Sequence, residues 1–501
     1  MKRNKAHRFA ALTLTAMTLL AGCGNDVPSN ETSVPELATE QTQYASTTGT
    51  SSTKTSSAGR TTASADTTQT STVSATDQTS HKQDNYNETE TEPVYTNAAA
   101  KDNKPYSPGI ENPPEGSENS SKPSGGQSSI STKATTSRHS PAVTTTKAPV
   151  KPVRSVSAEE MLDEMTLHEK VCQMFMAAPE GLTGYSCYNY ADDHTYSCYD
   201  KYPIGGFIFF ANNIVTSDQT RKMLSDLQNY AKTKGTGVFL ATDEEGGKIT
   251  RVCYKLGAPK VYDMKYYGSL GDLNEAFRVG TTIGTYLKDY GFNVDFAPVA
   301  DVNLNPYNEL GDRIFSTDPD VVASMSGAVV EGLQSKGVSG TLKHFPGLGA
   351  GGSNTHYGTV IMDRTYEQMR DNEFVAFSGG IDAGCDFVMV GHQVVTGAGD
   401  NMPADLSKVI VTDWLKGDLG FDGIIITDAQ AMGAIVNVYG SSEAAVLSVE
   451  AGIDIILMPA DLASAVGGVE QAVRSGRISE ERIDESVLKI LKKKESAGLL
   501  S

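Results

Sequence analysis

Eight short apolar runs, spaced through residues 155–501 and separated by helical or polar stretches, constrain the fold of this chain more than any other feature. They fall at about Met174–Ala177, Gly206–Phe210, Val238–Thr242, Val294–Pro298, Val338–Lys343, Phe387–Gly391, Ile424–Thr427 and Ile453–Met458. The runs do not alternate apolar with polar side chains, as expected for parallel strands buried on both faces. Between them lie amphipathic stretches such as TSDQTRKMLSDLQNYAKTKG, NEAFRVGTTIGTYLKDYG, DPDVVASMSGAVVEGLQSKG and DRTYEQMRDNEFVAFSGGIDAG. Several of them close on glycine, as helix C-termini do. Ser157, with Glu160 three residues on, predicts a capping box where the region begins. Eight strand–helix units predict an α/β fold, a (β/α)8 TIM barrel, with a doubly wound open sheet as the structural competitor.

In such barrels the reactive groups gather at the C-terminal ends of the strands. Asp243 follows VFLAT, Lys343 and His344 follow VSGTL, His392 follows FVMVG, and Asp428 follows IIIT. Four strand ends carrying ionisable side chains point to a reactive mouth rather than to solvated loop tips. Asp428 lies in GIIITDAQAMGA, beside Gly433 and Ala434, small residues that permit close approach. A carboxylate held there can attack an anomeric carbon; its plainer use is to cap the next helix. TLKHFPGLGAGGSNTHYG places Lys343 and His344 as donors to hydroxyls and then starts a long loop that reaches His356. Imidazole on a mobile loop suits general acid catalysis near neutral pH.

Residues 1–154 are a different polymer. Lys2, Arg3, Lys5, His7 and Arg8 precede the apolar run Ala10–Leu20, which Leu20-Ala21-Gly22-Cys23 closes. This order predicts a secretory signal over residues 1–22, too short to span a bilayer as a stable helix. The four closing residues resemble a bacterial lipobox, which implies cleavage before Cys23 and lipidation of its thiol. An ordinary signal peptide, with Cys23 a bystander, is the alternative. Residues 23–154 are rich in Thr and Ser, and their few large apolar side chains cannot offset the chain entropy lost on folding. They are expected to be a disordered tether with an end-to-end distance on the order of 60 Å. No later segment reaches the roughly 18 apolar residues of a membrane helix. The expected location is therefore the outer face of a bacterial cell membrane, with the membrane touched through the N-terminal lipid alone. The formal net charge of −19 argues against a nucleic-acid partner. Cys172, Cys187, Cys198, Cys253 and Cys385 lack the paired spacing of a zinc site. Cys187 and Cys198, within YSCYNYADDHTYSCYD, leave a disulfide and two free thiols equally open.

The segments MTLHEKVCQMF, IGGFIFFANNI, TDEEGGKITR, FAPVADVN, DRIFSTDP, KHFPGLG…NTH and GFDGIIITDAQAMGA resemble, in order, the successive signatures of glycoside hydrolase family 3. The resemblance runs from about Ser155 to the C-terminus and is strongest to the single-domain β-N-acetylglucosaminidase branch. The chain ends soon after the eighth run and is expected to lack the second α/β domain of the β-glucosidase branch. The resemblance implies that Asp428 is the nucleophile and His356 the acid/base. It further implies that Asp243 binds two sugar hydroxyls, with Arg251, Arg313, Lys343 and His344 as further donors. No metal or cofactor is implied, and the partner is a glycan containing N-acetylglucosamine, from peptidoglycan or chitin-type fragments, acted on by a monomer in an exo, retaining mode. One position departs from the pattern: the family pairs its histidine with an aspartate two residues earlier, and here that residue is Asn354. An amide orients an imidazole but does not stabilise its charged form, so His356 is expected to be a weaker acid/base than the family's norm. Leu348 also stands where a histidine is more usual, which bears on the packing of the loop. Two other functions compete: a phosphorylase using the same site, and a catalytically silent wall-binding lipoprotein.

Overall fold

A computed structural model describes residues 156–501. The expected signal over 1–22, Cys23 and the tether over 23–154 lie outside the described residues. Ten strands occur in the order β1 Phe175–Ala177, β2 Gly206–Ile208, β3 Phe239–Thr242, β4 Val294–Asp295, β5 Thr341–Phe345, β6 Ile361–Met362, β7 Phe387–Val390, β8 Val394–Val395, β9 Ile424–Thr427 and β10 Ile456–Leu457. All eight apolar runs therefore contain strands, and helices connect most of them. The expected α/β class and the parallel pairing are both present.

Five strands pair in the order β10-β1-β2-β3-β4 and three in the order β5-β7-β9, every pair parallel. Backbone bonds also join these sheets at two seams. Asp295 N–H donates to Ser339 O at 2.9 Å and Thr341 N–H to Ala297 O at 2.8 Å, while Thr427 N–H donates to Ile455 O at 3.0 Å. β4 is shorter than the expected Val294–Pro298 because Pro298 has no N–H to continue a ladder. β5 runs past the expected end at Lys343 to Phe345, so Lys343 and His344 sit inside the strand. β6 and β8 pair as a small ribbon that the sequence did not reveal, two residues being too short for any periodicity.

Burial explains the unalternating runs: every residue of β1, β2, β3, β5, β7 and β9 is buried. Side chains of separate sheets meet inside, as where the Phe239 and Phe387 rings pack edge to face at 5.4 Å. Outside, helices Leu273–Tyr290 and Pro319–Gln334 touch through glycine. A Cβ at Gly280 would lie 2.2 Å from Val329 O, and one at Gly332 would lie 2.4 Å from Phe277 O. The capping box at Ser157 and Glu160 forms as expected. The stretch from Asp363 to Gly384 forms two helices, Tyr366–Asp371 and Glu373–Asp382, broken at Asn372.

The N-terminal ends of the strands are closed partly by helix Glu480–Ser496. Its Lys494 is fully buried, donates to Gln173 Oε1 at 2.6 Å, and lies 5.3 Å from the centre of the Phe239 ring. Cys187 and Cys198 are unpaired thiols, which decides between the two alternatives left open. No helix among the described residues is long and apolar enough to cross a membrane. Among the described residues there is also no group of three side chains arranged to hold a metal.

Candidate active site

The C-terminal strand ends surround a cavity of about 500 Å³. Seven of the eight candidate residues in the folded region line it: Asp243, Arg251, Arg313, Lys343, His344, His356 and Asp428. The eighth, Asn354, stands behind His356. These side chains come from five separate stretches of chain, and the parallel strand order brings them to one end.

Asp428 directly follows β9. Its Oδ1 accepts the Ala429 N–H at 2.8 Å, and its other oxygen accepts no hydrogen bond among the described residues. Burial pushes its pKa up, but His392, His344 and the Ala429 N–H more than offset this and hold the carboxyl below its ordinary value. The result is an ionised, partly uncommitted carboxylate facing the cavity.

His356 sits on the exposed loop after β5. Asn354 Oδ1 accepts both the His356 backbone N–H at 2.8 Å and its Nδ1–H at 3.0 Å. An atom that accepts from a backbone N–H must be the amide oxygen, so Nδ1 carries a proton and Nε2 is left for chemistry. The loop is docked at its back: Gly433 N–H donates to His356 O at 3.1 Å and Ala434 N–H to Thr355 O at 3.2 Å. Gly433 and Ala434 thus permit a close approach, and the partner that approaches is the loop carrying His356. Glu309, also lining the cavity, accepts from Thr355 N–H and Oγ1–H, each at 3.4 Å.

The cationic residues are organised by Glu245, which the sequence reading did not single out. Its fully buried carboxylate takes the Arg313 Nε–H and an Nη–H at 2.8 Å each, and Lys343 Nζ lies 2.6 Å from it. Burial raises its pKa, yet Arg313 and Lys343 outweigh that and hold the carboxyl far below the usual range. Lys343 also donates to Asp243 Oδ1 at 2.8 Å. Glu244, next in chain, accepts the N–H groups of Arg251, Val252 and Cys253 at 2.6, 2.8 and 2.9 Å, capping helix Val252–Leu256 and fixing Arg251 at its start. The buried Arg251 Nε–H has no hydrogen-bond partner among the described residues. His344 gives its Nδ1–H to the fully buried Asp301 at 2.8 Å, which sets the tautomer and turns Nε2 outward.

Behind Asp428 stands a second imidazole. His392, two residues beyond β7, is fully buried; its Nε2 bonds to Ala429 O at 3.0 Å and its Nδ1 lies 3.0 Å from Asp405 Oδ1. The Nδ1 contact is poorly aligned for a hydrogen bond, so Asp405 acts on the ring by proximity rather than through a directed bond. Burial lowers the His392 pKa, and Asp405 followed by Asp428 outweighs it, raising the value to about 9. His392 is visible in the sequence as a strand-end ionisable residue. Asp405, Asp301 and Glu309 are not, because each is recognisable only through partners far along the chain.

The sequence model described as "Glycosyl hydrolase family 3 N terminal domain" matches residues 166–493. "Beta-hexosaminidase A" of Pseudoalteromonas piscicida is 30% identical over 321 residues, 59% of this chain and 54% of that protein. "Beta-hexosaminidase" of Nitrosomonas eutropha is 33% identical over 269 residues, 52% of this chain and 75% of that protein. Among solved structures, a glycoside hydrolase family 3 beta-N-acetylglucosaminidase from Paenibacillus sp. str. FPU-7 superposes with a TM-score of 0.63 at 34% identity, covering 67% of this chain and 63% of that one. The chain thus spans about half the length of the first relative and three quarters of the second. With a family model matched over most of its length and the family's motifs gathered around one cavity, the chain belongs to glycosyl hydrolase family 3.

Proposed function

We propose that this protein is a retaining exo-β-N-acetylglucosaminidase that releases terminal N-acetylglucosamine from peptidoglycan or chitin-type fragments. The observation that carries the reading is that Asp428 and His356 line the same cavity. In the proposed reaction the uncommitted oxygen of Asp428 attacks the anomeric carbon while His356 Nε2 protonates the departing oxygen. Water, deprotonated by the same imidazole, then releases the sugar with its original configuration. Asp243, Arg251 and His344 Nε2 are groups suited to sugar hydroxyls. The names of the relatives support N-acetylhexosamine as the sugar recognised.

The scaffold of this reading is a closed (β/α)8 barrel, supported by the backbone bonds at both seams between the sheets. The order of residues 1–23 supports secretion and a lipid anchor at Cys23, with the enzyme working as a tethered monomer outside the membrane.

The test uses a chromogenic β-N-acetylglucosaminide. Asp428→Ala is expected to lower kcat by at least about 10³-fold with its fold intact. Proton NMR of the wild-type reaction is expected to show the β-anomer of the free sugar first. Full activity in Asp428→Ala, or the α-anomer appearing first, would refute the mechanism.

A further inference from the structure

We propose that the buried His392–Asp405 pair positions the nucleophile: an imidazolium fixed by Asp405 grips the peptide beside Asp428 and balances that carboxylate's charge. The inference rests on the reading of Asp428 as the nucleophile and adds two residues to it, neither of which touches the sugar.

The protonation state follows from the partners. Ala429 O is a carbonyl and can only accept, so His392 Nε2 carries a proton. Nδ1 lies 3.0 Å from Asp405 Oδ1 without the alignment of a directed bond, and an anion at that distance favours the protonated ring, so Nδ1 carries one too. A doubly protonated ring is cationic, and the raised His392 pKa agrees with it. Asp405 is itself fixed: its Oδ2 accepts Gln430 Nε2–H at 3.2 Å, Gln430 donates on to Ser448 Oγ at 2.8 Å, and its backbone N–H donates to Gly391 O at 3.1 Å.

The connection to the nucleophile runs through Ala429. Its carbonyl is held by His392 and its N–H holds Asp428 Oδ1 at 2.8 Å, while Asp428 N–H is tied to Val390 O at 2.8 Å. The residue after the nucleophile is therefore clamped at both of its polar groups, which limits how far the carboxylate can swing. The charge matters as well. Asp405 and Asp428 are the acidic groups facing His392, and His344 and His356 are the other titratable groups facing Asp428. With His392 neutral, Asp405 would be an uncompensated charge beside the nucleophile, and Asp428 would be harder to ionise.

The experiment compares the pH dependence of kcat/KM in wild type, His392→Gln and Asp405→Asn, using full-length protein. Both variants keep a hydrogen-bonding side chain and remove a charge. The acidic limb is expected to move up by about one pH unit in His392→Gln, so that kcat/KM falls several-fold more at about pH 4 than at about pH 7, and to move less in Asp405→Asn, where the anion is lost as well. Loss of activity with an unmoved acidic limb would mean a merely structural role and would overturn the inference, as would an unchanged profile. Should the variants fail to fold, nitrogen NMR of the wild-type imidazole decides: doubly protonated at pH 7 supports the pair, and a ring neutral there overturns it. Asp428→Ala is run in parallel; if it keeps full activity, the nucleophile assignment fails first, and that outcome is distinct from a pH profile that does not move.

Discussion

Asn354 stands where the family resemblance leads one to expect an aspartate, and the geometry shows what the amide keeps and what it gives up. Its oxygen takes two N–H groups from His356, so the tautomer and ring orientation that a carboxylate would set are already set. What an amide lacks is a charge to stabilise the imidazolium that forms when His356 takes a proton. Asn354→Asp is nearly isosteric and is expected to raise turnover by about 2- to 10-fold and to move the alkaline limb of kcat/KM to higher pH. Steady-state kinetics between pH 5 and 9 measure both, and turnover that stays flat would mean orientation alone limits this histidine. The same residue shows what was legible at this scale. Asp428, His356 and Asn354 were readable because a motif spells them within a few positions. Glu245 was not, although it lies in TDEEGGKITR: its meaning depends on Arg313, 68 positions away, and on Lys343, and no local pattern records such a partnership.

The loop after β5 is an element with almost no secondary structure, so its geometry comes from what it is docked against. Helix Gly433–Val436 supplies that dock, and its first residue is the contact. A Cβ on Gly433 would lie 2.7 Å from His356 O and 3.0 Å from Tyr357 C, both backbone atoms unable to turn aside. Gly433→Ala should therefore displace the loop while leaving strands and core alone. The expected result is a fall in kcat/KM of about 10- to 100-fold with little change in Tm, since misplacement of about 1 Å carries a cost of that order. Kinetics paired with a melting curve test it; unaltered kinetics would show that the loop is positioned elsewhere. Here the sequence reading was right in kind: small residues at 433 and 434 signalled close approach, but only the fold shows which segment approaches. The same holds for the strands. Unbroken apolar runs located all eight, whereas their ends were set by features that hydropathy does not carry, such as the missing N–H of Pro298 at β4.

At the scale of the whole molecule, polarity is divided between two ends. The C-terminal strand ends gather the paired charges of the site, while Lys494 is buried at the other end with an amide and an aromatic ring as its companions. Burial depresses its pKa to about 7, against 10.5 for an ordinary lysine. Between those values the unfolded chain holds a proton that the folded chain does not, so this residue makes stability rise with pH, and below about pH 7 its penalty is full and constant. His392 acts with the opposite sign: its folded pKa is raised to about 9 from 6.5, so its contribution is complete below about pH 6.5 and is lost as pH climbs through 9. The two slopes oppose each other between about pH 7 and 9, and the wild-type profile alone would hide both. Lys494→Met separates them. It removes the lysine's penalty, leaves Gln173 Oε1 without its donor, and does not touch the site, so the second effect is independent of pH. Relative to wild type, the variant is expected to be better off at pH 6 than at pH 9 by about 2–3 kcal/mol, read from urea unfolding at the two pH values. An equal offset at both would mean that Lys494 keeps its proton in the folded state. In that case the ring of Phe239 and the amide of Gln173 would be solvating a charge where the sheet looks driest.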